Sequence, residues 1–117
     1  MSATEIPEWI NRSTVERAWG QGVTAQQRSN HRFARVGMRA ARSRDPRLMR
    51  ALDGMAEVLQ QISQDQQGNR RRIDGRVIDA TEYSMVREAL VSADKGDPLP
   101  HFCWVYGMAA TICGYQP

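Results

Sequence analysis

Histidine, cysteine and carboxylate side chains are the groups that could bind a metal or attack a substrate, and this chain spaces them poorly for either. The candidate metal ligands are His31, His101, Cys103 and Cys113. They form neither a CxxC nor an HxxxH pair, and His101 and Cys103 lack two further ligands, so no metal site is expected. A Cys–His nucleophile needs its thiol in a reachable, electropositive place. Both cysteines lie instead in the most apolar stretch, which raises a thiol pKa and blocks access. On one continuous helix they would stand about 15 Å apart, too far for a disulfide. Buried free thiols and a reducing, cytoplasmic setting are the expectation. Carboxylates such as Glu16, Asp45 and Glu57 stand singly at cap and surface positions, with no acid/base pair among them. Gly20-Gln21-Gly22 lacks the preceding strand and the third glycine of a phosphate-cradling loop. Catalysis and cofactors are therefore not expected, and the chemistry left to explain is binding.

For binding, the arginines matter most. The chain has 117 residues, 16 Lys+Arg, a net charge of +3 and a pI near 9.3. Lys95 is its single lysine. Arginine suits forked, geometrically fixed contacts with carboxylates or phosphates, although high-GC coding produces the same excess. Arg28, Arg32, Arg35, Arg39 and Arg42 are spaced four, three, four and three apart. On a helix this spacing draws a narrow cationic line along one face. Phe33, Ala34, Val36, Gly37, Met38, Ala40 and Ala41 fill the rest of the segment. Three readings follow, in the order of how often such stripes have each role: a solvated face, a protein-docking edge and a phosphate-contacting surface.

The elements that would position these groups are helical. Pro7 opens a turn carrying Trp9 and Ile10. Ser13 and Glu16 read as a capping box for a short helix that ends near Trp19 at Gly20 and Gly22. Thr24-Ala25-Gln26-Gln27 reads as a second box, starting a long helix from Ala25 to about Ser43. Asp45 suits an N-cap and Pro46 the first helical position. Beyond them Leu48, Leu52, Met55, Leu59 and Ile62 form a heptad-like seam. The short junction predicts that residues 25–43 and 46–63 form an antiparallel helical hairpin. Asp74-Gly75 in the 70–79 segment fits either a small ribbon or an irregular loop. Thr81 begins a helix with Tyr83, Val86, Leu90 and Ala93 on one face, and Gly96 ends it. The final helix, about His101 to Cys113, is apolar nearly all round. It is expected either at a homodimer interface through Phe102, Trp104, Tyr106 and Met108, or at the centre of the chain's own helices. Gly107 and Ala110 would let another backbone approach it. Trp9 and Trp19 either close over the core or, with Ile6 and Ile10, form an arm on another chain.

The expectation is an all-α fold of four to five helices in a single domain, 1–117. Within it, 1–23 is an N-terminal arm and short helix, and 24–113 is the helical core. The N-terminus lacks a secretory pattern, and the apolar run in 102–113 is too short to span a bilayer.

Three stretches, NHRFARVGMRAARSR, DPRLMRALDGMAEVLQQI and HFCWVYGMAATICGY, together with size and helical layout, carry a resemblance over most of the chain. It resembles the QslA-type quorum-sensing anti-activators, small bacterial proteins that bind LuxR-type transcription factors such as LasR. The resemblance implies negative regulation of transcription by protein–protein binding. The regulator docks on the receptor's ligand-binding domain and blocks its dimerisation and hence DNA binding. It implies no enzymatic step, cofactor, membrane or direct DNA contact. On this reading Phe33, Val36 and Ala40 would supply apolar contact, Arg32, Arg35 and Arg39 would flank it, and Asn30 would add a directional bond. The alternative is a small basic nucleic-acid-binding protein.

Overall fold

The arginine-striped segment folds as an amphipathic helix whose apolar side is held by the C-terminal helix of the same chain. A computed structural model, described for residues 7–27, 31–69, 72–73, 76–78 and 80–116, holds five α-helices with the C-terminal one at the centre. They are α1 (Arg12–Gln27), α2 (His31–Ser43), α3 (Pro46–Asn69), α4 (Ala80–Asp94) and α5 (Cys103–Cys113). Two strands of two residues each, β1 (Arg72–Ile73) and β2 (Arg76–Val77), pair antiparallel between α3 and α4. Arg72 faces Val77 and Ile73 faces Arg76, the ribbon outcome for that segment. No helix among the described residues is long and apolar enough to cross a membrane.

α1 begins two residues earlier than its Ser13 box predicts and does not stop at Gly20. Asn11 is the cap: its Oδ1 accepts from Thr14 N–H at 3.1 Å, and its own N–H donates to Thr14 Oγ1 at 2.9 Å. This is the reciprocal arrangement of a capping box with asparagine and threonine in the two roles. The helix then runs through Gly20 and Gly22 to Gln27. A glycine inside a helix costs only about 1 kcal/mol. Val15, Ala18 and Trp19 of the same helix are buried. Full burial of one large apolar side chain is worth about 1.5–3 kcal/mol, so packing outweighs the glycine penalty. Thr24–Gln27 therefore belongs to α1 and begins no helix, and α2 is described from His31. Arg28 and Asn30 fall outside the described residues.

The Asp45-Pro46 junction forms as its residues dictate. Asp45 Oδ1 accepts from Arg47 N–H at 2.8 Å, and Pro46 is the first residue of α3. Leu48, Leu52, Met55, Leu59 and Ile62 are all buried along the seam. The antiparallel hairpin expected of α2 and α3 is nevertheless not confirmed: among the described residues the main packing of each helix is with another element. α2 lies on α5 and α3 lies on α4. At the corner between them Arg44 adopts φ 54°, a left-handed conformation that costs a non-glycine residue roughly 1–2 kcal/mol. Its guanidinium donates to the Asp94 carbonyl, tying the corner to the end of α4.

α4 ends in a Schellman arrangement: Gly96 at φ 82° donates to the Ala93 carbonyl and Asp97 to the Ser92 carbonyl. Its buried face is rotated from the expected one. Glu82, Val86, Ala89 and Ala93 point inward, while Tyr83 and Leu90 are half-buried at the flanks. α5 is the centre. α1, α2 and α3 all pack against it, and Trp104, Val105, Tyr106, Gly107, Met108, Ala109 and Ala110 are buried. Trp19 of α1 meets Trp104 edge-on, with ring centroids 5.5 Å apart. Ile10 seats on Gly54 of α3, and Arg47 stands 5.8 Å from the Trp9 ring centroid. The N-terminal aromatic residues thus close over the chain's own core. Ile6 lies outside the described residues.

Candidate functional site

α2 and α5 approach each other backbone to backbone. A Cβ built on Gly37 would fall 2.1 Å from the Gly107 nitrogen and 2.5 Å from the Tyr106 carbonyl carbon. The two helix backbones therefore touch with no side chain between them. One helical turn back from Gly37, the Phe33 ring covers Gly107, where an added Cβ would stand 2.5 Å from the ring. The sequence signal for a close backbone at Gly107 was sound, but the approaching backbone belongs to the same chain.

Beside this crossing the surface is open. Arg32, Phe33 and Val36 of α2, with Gly107 and Thr111 of α5, line a depression of about 300 Å³. Phe33 and Val36 are half-buried: they pack on the core at their base and line the depression above it. The Thr111 hydroxyl donates to the Gly107 carbonyl at 3.0 Å, so the floor's one side-chain donor is already committed.

Arg32 stands at the edge of the depression, and Arg35, Arg39 and Arg42 continue the row along the outer side of α2; all four are exposed. Helical spacing sets Arg32 four residues before Val36 and Arg39 three after it, on the same edge. No ion pair joins these four arginines to a carboxylate among the described residues. Arg87 of α4 behaves differently, lying 3.0 Å from Glu57 and 3.9 Å from Asp53 of α3.

The expected docking set is thus divided. Arg32, Arg35 and Arg39 are presented, and Phe33 and Val36 are partly presented. Ala40 is not: it is fully buried, because it lies on the α2 face that packs on α5. Asn30 lies outside the described residues. The dimer-interface assignment of Phe102, Trp104, Tyr106 and Met108 is corrected too. All four are buried within the single chain, since three helices wrap α5. Self-association would have to use another face. Thr111 and Gly107 of the depression were missed as site residues. Neither carries a local signal for a groove, which exists only where α2 crosses α5.

The titratable groups with shifted pKa values are structural. Burial pushes the Tyr106 hydroxyl above its ordinary 10.0, although the Leu99 N–H it accepts from at 3.2 Å pulls the other way; the hydroxyl donates to the Ala89 carbonyl at 3.1 Å. Burial likewise raises the Cys113 thiol. Cys103 is half-buried, and both cysteines are free. Among the described residues no group of three or more His, Cys, Asp or Glu side chains is placed to hold a metal ion.

In class, then, this is a small all-helical domain with a cationic row that starts at the edge of a shallow groove. Compared with protein-family models, with curated proteins and with solved structures, the chain finds no match.

Proposed function

We propose that the chain is a regulatory binding protein: a cytoplasmic negative regulator of transcription that sequesters a LuxR-type quorum-sensing transcription factor. It would engage the receptor's ligand-binding domain, block receptor dimerisation and so keep the receptor off its promoters. The supporting observation is the row of exposed arginines, without carboxylate partners among the described residues, that starts at the edge of a half-apolar groove. A receptor that dimerises through an apolar helix face can be captured by a helix offering apolar contact at its centre and guanidinium groups at its rim. The resemblance to anti-activators points to the same partner.

Co-purification with the ligand-binding domain of a LuxR-type receptor tests this. Arg35→Glu combined with Arg39→Glu, and separately Val36→Asp, should abolish capture and leave helical content unchanged. Phe33→Asp is a poorer probe, because Phe33 rests on Gly107 and its loss would disturb the fold. Capture undiminished in both the arginine and Val36 variants would end the proposal. The same four guanidinium groups favour a second reading, contact with nucleic-acid phosphates. Salt separates the two: phosphate-dominated binding falls log-linearly as salt rises, whereas an interface with an apolar centre loses little.

A further inference from the structure

We infer that the depression between α2 and α5 is an anchor pocket for one large apolar side chain on an acidic helix of a protein partner, with Arg32, Arg35 and Arg39 meeting carboxylates beside it. The inference rests on the docking reading above and specifies the chemistry that reading requires of its partner.

Size comes first. About 300 Å³ lies at the lower end of small-molecule pockets, which run from about 300 to 1,000 Å³. Such a space suits one or two side chains better than a cofactor. Its lining is apolar at Phe33 and Val36, the Thr111 hydroxyl already donates within α5, and the directional group left is the Arg32 guanidinium at the edge. An occupant therefore gains by leaving water, not by forming hydrogen bonds inside. Gly107 lets the Phe33 ring rest against α5, where that ring forms one wall of the depression.

Charge comes second. Arg32, Arg35, Arg39 and Arg42 lie at helical spacing on the Val36 side of α2. From Arg32 to Arg42 the row extends about 15 Å at 1.5 Å per residue. A partner helix with carboxylates three and four residues apart repeats the same interval and can pair with several guanidinium groups at once. A duplex would offer phosphates to the row but no apolar group for the depression. The pocket and the row together favour an acidic, amphipathic helix.

The probe is a fluorescein-labelled, helix-stapled peptide with glutamates at i, i+3 and i+7 around a single leucine, titrated against the full chain by polarisation. Binding is expected. Leucine-to-alanine in the peptide, or Thr111→Trp in the protein to fill the depression, should each weaken it by about tenfold or more. Arg35→Glu with Arg39→Glu should weaken it by about a hundredfold. Circular dichroism should show native helicity for both protein variants, whose altered residues are exposed. Peptide binding indifferent to both variants overturns the inference. So does displacement of the peptide by a DNA duplex at lower concentration than by unlabelled peptide. Receptor capture that survives Thr111→Trp overturns this pocket and leaves the docking reading standing. Peptide binding that is lost with Thr111→Trp, in a chain that captures no receptor, supports the pocket and overturns the choice of receptor.

Discussion

The two helix pairs of this fold are built on different principles. α3 and α4 meet through side chains: a buried aliphatic seam from Leu48 to Ile62, with Arg87 bridging to Asp53 and Glu57 at its edge. α2 and α5 meet through backbone, at Gly37 and Gly107. The first pair neutralises its edge cation with carboxylates. The second leaves its edge cations exposed to solvent. A helix pair whose charges are matched internally serves stability, whereas a row of unmatched charges beside an open groove is available to another molecule.

The largest expected effect tests the backbone contact. Gly37→Ala places a methyl group 2.1 Å from a backbone nitrogen that cannot rotate away, so α2 and α5 must separate. We expect a loss of roughly 3 kcal/mol or more in urea unfolding. Gly54→Ala is the sharpening control. Its methyl would meet the Ile10 side chain at 2.7 Å, on a turn that can yield, and its cost should be about 1–2 kcal/mol. Equal costs for the two would mean that the α2–α5 crossing is no tighter than the rest of the core.

The next effect concerns what joins the two pairs. Tyr106 of α5 reaches the Ala89 carbonyl of α4 and accepts from Leu99. Tyr106→Phe strands both groups and should cost about 1–3 kcal/mol. The hydroxyl also sets an alkaline limit. Its folded pKa is raised, so the unfolded chain loses its proton first as pH climbs past 10.0. Stability is thus fully present below that pH and declines above it. Cys113 acts in the same direction from its ordinary 9.0 upward. Thermal midpoints measured between pH 8 and 11 should fall, and Tyr106→Phe should shallow the upper part of that fall.

The smallest effect separates ion-paired arginines from those with no ion pair among the described residues. Arg87→Ala removes partly exposed ion pairs and should cost about 0.2–1 kcal/mol, less at high salt. Arg39→Ala should leave stability within about 0.5 kcal/mol, as expected for an exposed position with no ion pair among the described residues. A larger stability loss for Arg39→Ala than for Arg87→Ala would reverse the comparison and make the α2 row structural.

Much of this was legible in the residues. The α3 seam appeared at every expected position, and Asp45 and Pro46 capped it as their types require. The described arginines of the α2 stripe came out exposed, because a guanidinium is rarely buried without a partner. Ala40 was misplaced because a small apolar residue reads equally well as contact surface or as core. Gly20 was misread as a stop, because tertiary burial of Val15 and Trp19 overrode a local preference.

What the chain settled alone were features encoded within a few consecutive turns: the helical class, the α3 start, the seam and the cationic line. Their causes are capping bonds and 3.6-residue periodicity, and both act over short windows. The folded structure alone decided that α2 would lie on α5, and that α5 would be enclosed. Those choices depend on the fit of surfaces far apart in sequence and on a glycine in one helix meeting a glycine in another. No local window contains both sides of such a contact.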